Sequence, residues 1–156
     1  TKLCAQQVRG AQFLREAIEV SVIRRLAQGG PGPALADALT ETLARQVRAI
    51  EDSDRSAFQA LDDRFHTQLV ETTGLARVRA VLDKERAMLA RLRVLSLQQG
   101  DHMRRLHAEH GAILQAILGR DVEAAAKAAQ MHLRGVLDTL ADLVAANRDY
   151  FDADAD

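Results

Sequence analysis

Cysteine, proline and aromatic residues are all scarce in this chain, and each scarcity excludes something. A single cysteine, Cys4, rules out an internal disulfide and fits a reducing, cytoplasmic setting. Two prolines and 3% aromatics, set in a background of alanine and leucine, favour helices over strands. The net charge is −1 with both signs dispersed, and no basic stripe alternates with aromatics, so the chain carries no electrostatic footprint for nucleic acid. No apolar run approaches membrane-spanning length and no signal-peptide pattern is present, which argues against a membrane partner. A glycine-rich nucleotide loop is missing. So are the Glu-x-x-His pairs of ferritin-like di-iron bundles, and His107-Ala108-Glu109-His110 is too short for the zinc-protease His-Glu-x-x-His.

What remains is a chain of 156 residues, 47% hydrophobic and 28% charged, the balance of one globular domain with a substantial core. Apolar residues recur at three- and four-residue steps in six segments. Val8, Ala11, Leu14, Ile18, Val22 and Leu26 trace a first helix from about Gln6 to Gln28, ended by the glycine–proline run 29–33. Leu35, Leu39, Leu43, Val47 and Ile50 define a second, to about Glu51. Ser53 or Asp54 offers an N-cap for a third, which stops at Thr73-Gly74. A fourth runs from about Ala76 to Leu97 with Leu82, Met88, Leu89, Leu92 and Leu95 inward. Gly100-Asp101 and Gly119-Arg120-Asp121 each read as a stop followed by a start. They bound a fifth helix, and a sixth that runs to about Arg148 with Leu143 inward, ahead of an acidic tail. Six amphipathic helices joined by mostly short links predict an all-α antiparallel bundle.

Polar residues interrupt these stripes at chosen places. Asp62 and His66 lie one turn apart on the buried side of the third helix, beside Phe58, Leu61, Phe65 and Leu69. His110 falls on the stripe of the fifth helix and His132 on that of the sixth. Each is costly to bury unless satisfied. One oxygen and three nitrogens suit a borderline divalent ion such as Zn²⁺ or Ni²⁺. Three core histidines with separate partners are the competing reading, and spacing alone leaves both open. Gly111 and Gly135, next to or one turn from these histidines, would cost a helix roughly 1 kcal/mol each relative to alanine. Close backbone approach at a site or an ordinary helix crossing would each explain them. Arg15 lies on the first helix's stripe; its guanidinium suits capture of a carboxylate, and it can equally pair with Glu19 one turn on. Arg93, at the edge of the fourth stripe, is a weaker pocket candidate for which a solvated side chain is the alternative.

Taken in order, Gln12 to Glu19, Leu61-Asp62-Asp63-Arg64-Phe65-His66, Glu109-His110-Gly111-Ala112-Ile113, then Asp121 and Met131-His132-Leu133 resemble the C-terminal effector-binding (FCD) domain of FadR-type regulators in the GntR family. The resemblance covers nearly the whole chain. It implies a bundle of six to seven helices in which Asp62, His66, His110 and His132 hold a divalent transition metal, zinc or nickel. It also implies a small carboxylate effector that completes the coordination, with Arg15 as the arginine that the family's first long helix offers to the pocket; Arg93 joins it as a ligand-binding candidate from its stripe position alone. All four ligand positions are filled, as in metal-dependent members rather than those that bind long acyl thioesters without metal.

The expectation is therefore a single ligand-binding and dimerisation domain over residues 1–156, acting as the sensor of a cytoplasmic, homodimeric bacterial transcription regulator. The family's amino-terminal winged helix-turn-helix is not among these residues, and the chain opens on Thr1. Operator DNA is thus expected to be bound only through that further domain. No enzymatic activity is expected. A metal-dependent hydrolase or lyase on a helical bundle is the rival, weakened by the lack of a neighbouring base or nucleophile. A structural module whose histidines fill the core is a third reading.

Overall fold

In a computed structural model the described residues, 4–98 and 100–146, form six α-helices and no strand. They are α1 (Ala5–Gly29), α2 (Pro33–Glu51), α3 (Arg55–Glu71), α4 (Ala76–Ser96), α5 (His102–Leu118) and α6 (Val122–Ala146). The expected end of the last helix near Arg148, the side chain of Leu143 and the acidic tail lie outside the described residues. No described helix is long and apolar enough to cross a membrane.

The links behave as their residues dictate. Gly30, at φ 80°, turns the chain out of α1 while its N–H reaches the Leu26 carbonyl at 2.8 Å. Pro33 starts α2, where its missing N–H costs nothing. Asp54 caps α3 by accepting the Ala57 N–H at 2.9 Å, and Asp121 does the same for Ala124 at 2.9 Å. Asp101 precedes α5 without a side-chain cap bond. At the α5–α6 link the left-handed residue is Arg120 (φ 57°) rather than Gly119. Gly119 serves by being small: a Cβ there would sit 3.2 Å from the Gln115 carbonyl oxygen. Arg120 donates to the Gln28 carbonyl at 2.9 Å, tying this turn to the end of α1.

α1 runs through the middle of the bundle, packed on α3, α4, α5 and α6, while α2 covers α3 and α5. One core cluster, around Ile23, Leu39, Phe65, Leu69, Ile113 and Ile117, fills the end where α1, α2, α3, α5 and α6 meet. A second joins Val8 and Ala11 to Leu89, Leu92 and Leu140, and a third gathers Ile50, Phe58, Leu61 and Met103. Side chains buried like Phe65 and Leu69 each contribute about 1.5–3 kcal/mol of transfer free energy.

Three helices depart from their expected stripes, and in the same way. On α1, Leu14 is 40% exposed while Gln12, Arg15 and Glu19 are buried. On α2, Val47 is exposed and its neighbour Gln46 is fully buried. On α4, Met88 and Leu95 face outward and Arg86 and Ser96 inward. Each helix is turned so that polar side chains, not the next apolar ones, reach the centre. They converge on one place.

Candidate metal centre

Asp62 and His66 on α3, His110 on α5 and His132 on α6 meet in the middle of the bundle, all four buried. One ligand-type atom from each lies within 4.8 Å of every other. The Nε2 atoms of His66 and His132 are 3.0 Å apart, and those of His110 and His132 3.2 Å. Asp62 Oδ1 is 3.1 Å from His110 Nε2 and 3.7 Å from His66 Nε2. The imidazoles are packed as well as aimed: His66 stacks on His132, and His110 on Phe65 with ring centroids 4.4 Å apart.

The far side of each ring explains its orientation. His66 Nδ1 lies 2.5 Å from Glu19 Oε2, His110 Nδ1 3.1 Å from Gln46 Oε1, and His132 Nδ1 2.8 Å from Glu109 Oε2. Three oxygens can only accept, so each Nδ1 carries the proton and donates it. In the neutral rings each Nε2 then presents a lone pair: that of His132 faces those of His66 and His110 at 3.0 and 3.2 Å, with a carboxylate oxygen 3.1 Å from His110 Nε2. Nothing among these four groups satisfies that arrangement; a cation between them does. Ligand atoms bonded to one ion at about 2.0–2.2 Å lie about 2.9–3.5 Å apart. The observed separations match, with the His66–Asp62 edge slightly wider. Acceptors behind metal-bound histidines are the usual means of fixing tautomer and raising ligand basicity. The cluster can hold a metal ion.

Charge around the cluster is paired. Arg15 donates from Nε to Glu19 Oε1 at 2.9 Å, both side chains buried. Burial works to raise the Glu19 pKa, but the charges of Arg15 and His66 outweigh it and hold the carboxyl well below the ordinary range. Asp62 is likewise held low against burial, chiefly by Arg93. Burial pushes His66 down to about 3 and His110 down to about 4, so both are neutral bases near pH 7.

Arg15 pairs with Glu19 and also lines a cavity beside His66 and His132. The solvated reading of Arg93 is wrong. Its side chain is 14% exposed, and its guanidinium donates to Asp62 Oδ2 and, at 2.8 Å, pairs with Asp63 Oδ1. Asp62 offers two oxygens to two tasks, and Arg93 takes the one turned away from the histidines. Each of the three histidines has its own partner at Nδ1, a side-chain oxygen rather than the backbone carbonyl of the bland reading, and Nε2 of His132 faces those of His66 and His110. The two glycines find no explanation here: a Cβ at Gly111 or Gly135 would meet nothing within 4 Å.

Sequence reasoning missed Gln46, Glu109 and Arg86, and saw Glu19 only as a partner for Arg15. Arg86, buried on α4, donates to Asp63 Oδ1, the oxygen that Arg93 also pairs with. The available signal was a polar residue one step off each apolar stripe. The cavity has a volume of about 50 Å³, room for a few water-sized groups, and opens between α1, α3, α4, α5 and α6.

A six-helix bundle with one buried Asp/His₃ cluster beside a small cavity defines a class, and comparison with known proteins names it. The family model of the FCD domain matches residues 12–135, so the chain belongs to the FCD-domain family. It is 33% identical over 149 residues to an HTH-type transcriptional regulator in an unstable DNA locus of Streptomyces ambofaciens, covering 96% of this chain and 62% of that protein. It is 29% identical over 150 residues to the HTH-type transcriptional repressor RspR of Escherichia coli K12, covering 96% of this chain and 65% of that one. The chain thus spans somewhat under two thirds of the curated relatives it matches. The metal-free FCD domain of TM0439 superposes with a TM-score of 0.75 over 93% of this chain and 99% of that one, at 18% identity, which shows a shared fold. Both of these relatives are transcriptional regulators of the HTH type.

Proposed function

We propose that this FCD domain senses a small organic acid through a divalent transition metal, zinc or nickel, held by Asp62, His66, His110 and His132. The observation that carries the reading is the convergence of three unprotonated Nε2 atoms, each ring fixed from behind by Glu19, Gln46 or Glu109. A bound ion supplies a Lewis-acid position for a carboxylate oxygen. The chain supplies the rest. The cavity reaches Asp62, His66 and His132 but not His110, so the effector approaches from one side. Arg15 keeps its terminal nitrogens free of other partners among the described residues and offers them to the effector's carboxylate. Arg93 holds Asp62 in place and lines the same cavity.

The full-length regulator, in this reading, is a GntR-family homodimer that binds operator DNA through an amino-terminal winged helix-turn-helix. The four ligands come from three helices, and Arg15 adds α1, so effector binding bears on how four helices pack. It controls DNA binding to the extent that the two packings differ in effector affinity. Calorimetric titration of metal-loaded and metal-stripped protein with small organic acids tests the reading. Binding that needs metal and is lost in Asp62→Ala supports it; binding indifferent to both contradicts it.

A further inference from the structure

The charges in and around the cluster set a constraint on the effector. Arg15, Arg86, Arg93 and Arg105 face Glu19, Asp62, Asp63 and Glu109, four cations against four anions in one connected network. The imidazoles ligate as neutral bases. The network is therefore balanced before a divalent ion enters and carries two excess positive charges afterwards. An uncompensated double charge in a mostly buried site is costly, and a doubly charged anion removes it.

Arg105 and His102, on the first turn of α5, also line the cavity. Arg105 Nη2 lies 2.9 Å from His102 Nδ1, which makes that nitrogen the acceptor and leaves the other ring nitrogen a donor. The side chain of Arg105 is 54% exposed, and its one carboxylate neighbour among the described residues, Glu109, stands 3.7 Å from Nε, beyond hydrogen-bond distance. Glu109 is already committed to His132. Unlike Arg15 and Arg93, Arg105 is not locked into a buried pair. The walls also include Phe58, Leu106, Leu133 and Val136, which suit hydrocarbon.

We propose that the effector is a small dicarboxylate, one acidic group at the four-ligand cluster beside Arg15 and the second held by Arg105 and His102. This rests on the metal-sensor reading above and names its ligand class. The test is calorimetric titration of the metal-loaded protein, at fixed salt, with succinate, butyrate and inorganic phosphate. Succinate is expected to bind about tenfold or more tighter than butyrate, the discrimination of one charge-assisted contact. Arg105→Gln, loaded with metal to the same stoichiometry, is expected to lose that preference, and Arg105→Lys to keep most of it. Equal binding of succinate and butyrate overturns the proposal while leaving the sensor reading intact. So does tight phosphate binding with no preference for succinate, which assigns the excess charge to a compact inorganic anion. A preference unchanged in Arg105→Gln overturns the assignment of the second group. Failure of every acid to bind metal-loaded protein overturns both readings.

Discussion

Replacing Glu19 by glutamine separates charge from shape at the centre of the site. The amide oxygen of Glu19→Gln can still accept the His66 Nδ1 proton, so the ring keeps its tautomer and its Nε2 still faces the cluster. What is lost is the negative charge behind the imidazole and the counter-ion of Arg15, whose side chain is buried with it. Removing an anionic partner behind a metal-bound histidine weakens metal binding by about 10- to 100-fold, or about 1.4–2.8 kcal/mol. Stranding Arg15 costs metal-free stability as well, up to about 3–5 kcal/mol for one partner of a buried pair. Chelator-competition titration at neutral pH reads the first effect, and thermal or urea unfolding of stripped protein reads the second. The double variant Arg15→Gln, Glu19→Gln decides between them, since it removes the stranded charge and recovers much of the stability while metal binding stays weak. A folded Glu19→Gln protein with metal affinity within about twofold of the parent would refute the role given to Glu19.

Acid should weaken the metal-free domain early. His66 and His110 have folded pKa values depressed to about 3 and about 4, below the 6.5 of an unperturbed histidine. The unfolded chain therefore binds more protons in that interval, and stability present above pH 6.5 is lost as pH falls toward those folded values. Melting temperatures of stripped protein across that range check it, and a flat profile contradicts the burial assigned to these rings. Metal affinity should fall over the same range because protons compete for the ligand nitrogens, which a chelator titration at two pH values measures. Phe65→Ala should cost about 3–5 kcal/mol in urea unfolding, since Phe65 is fully buried against His110, and should weaken metal binding through the loosened ring. Asp54→Ala should cost about 1 kcal/mol by removing the α3 cap, with metal affinity unchanged because the cap lies two turns from Asp62.

Much of the fold could be read from apolar spacing, because each helix buries a stripe and each link carries a breaker or a cap. Residues 29–33, Asp54 and Asp121 were legible for that reason. Asp62, His66, His110 and His132 were legible as a set because an acidic or imidazole side chain on a buried stripe needs a partner. What spacing could not give was rotation. Leu14, Val47 and Leu95 are as apolar as their buried neighbours, and a stripe drawn through them fits a helix period equally well. In three dimensions α1, α2 and α4 instead bury Gln12, Arg15, Glu19, Gln46 and Arg86, of which all but Gln12 pair with one another or with the cluster and its flanking Asp63. Glu19, Gln46 and Glu109 were hidden for the same reason: each lies on an element different from the histidine it holds, Glu19 on α1, Gln46 on α2 and Glu109 on α5. Arg93 was misjudged because sequence shows the edge of a stripe but not the Asp62–Asp63 pair that waits there.

The most direct test of the central claim is anomalous diffraction from crystals of zinc- or nickel-loaded protein, recorded on either side of the metal edge. The account predicts one strong peak bonded to Asp62 Oδ1 and to the Nε2 atoms of His66, His110 and His132, with Glu19, Gln46 and Glu109 still behind the rings. No peak at this cluster in metal-loaded crystals, or a peak bound through the Nδ1 atoms, would contradict it.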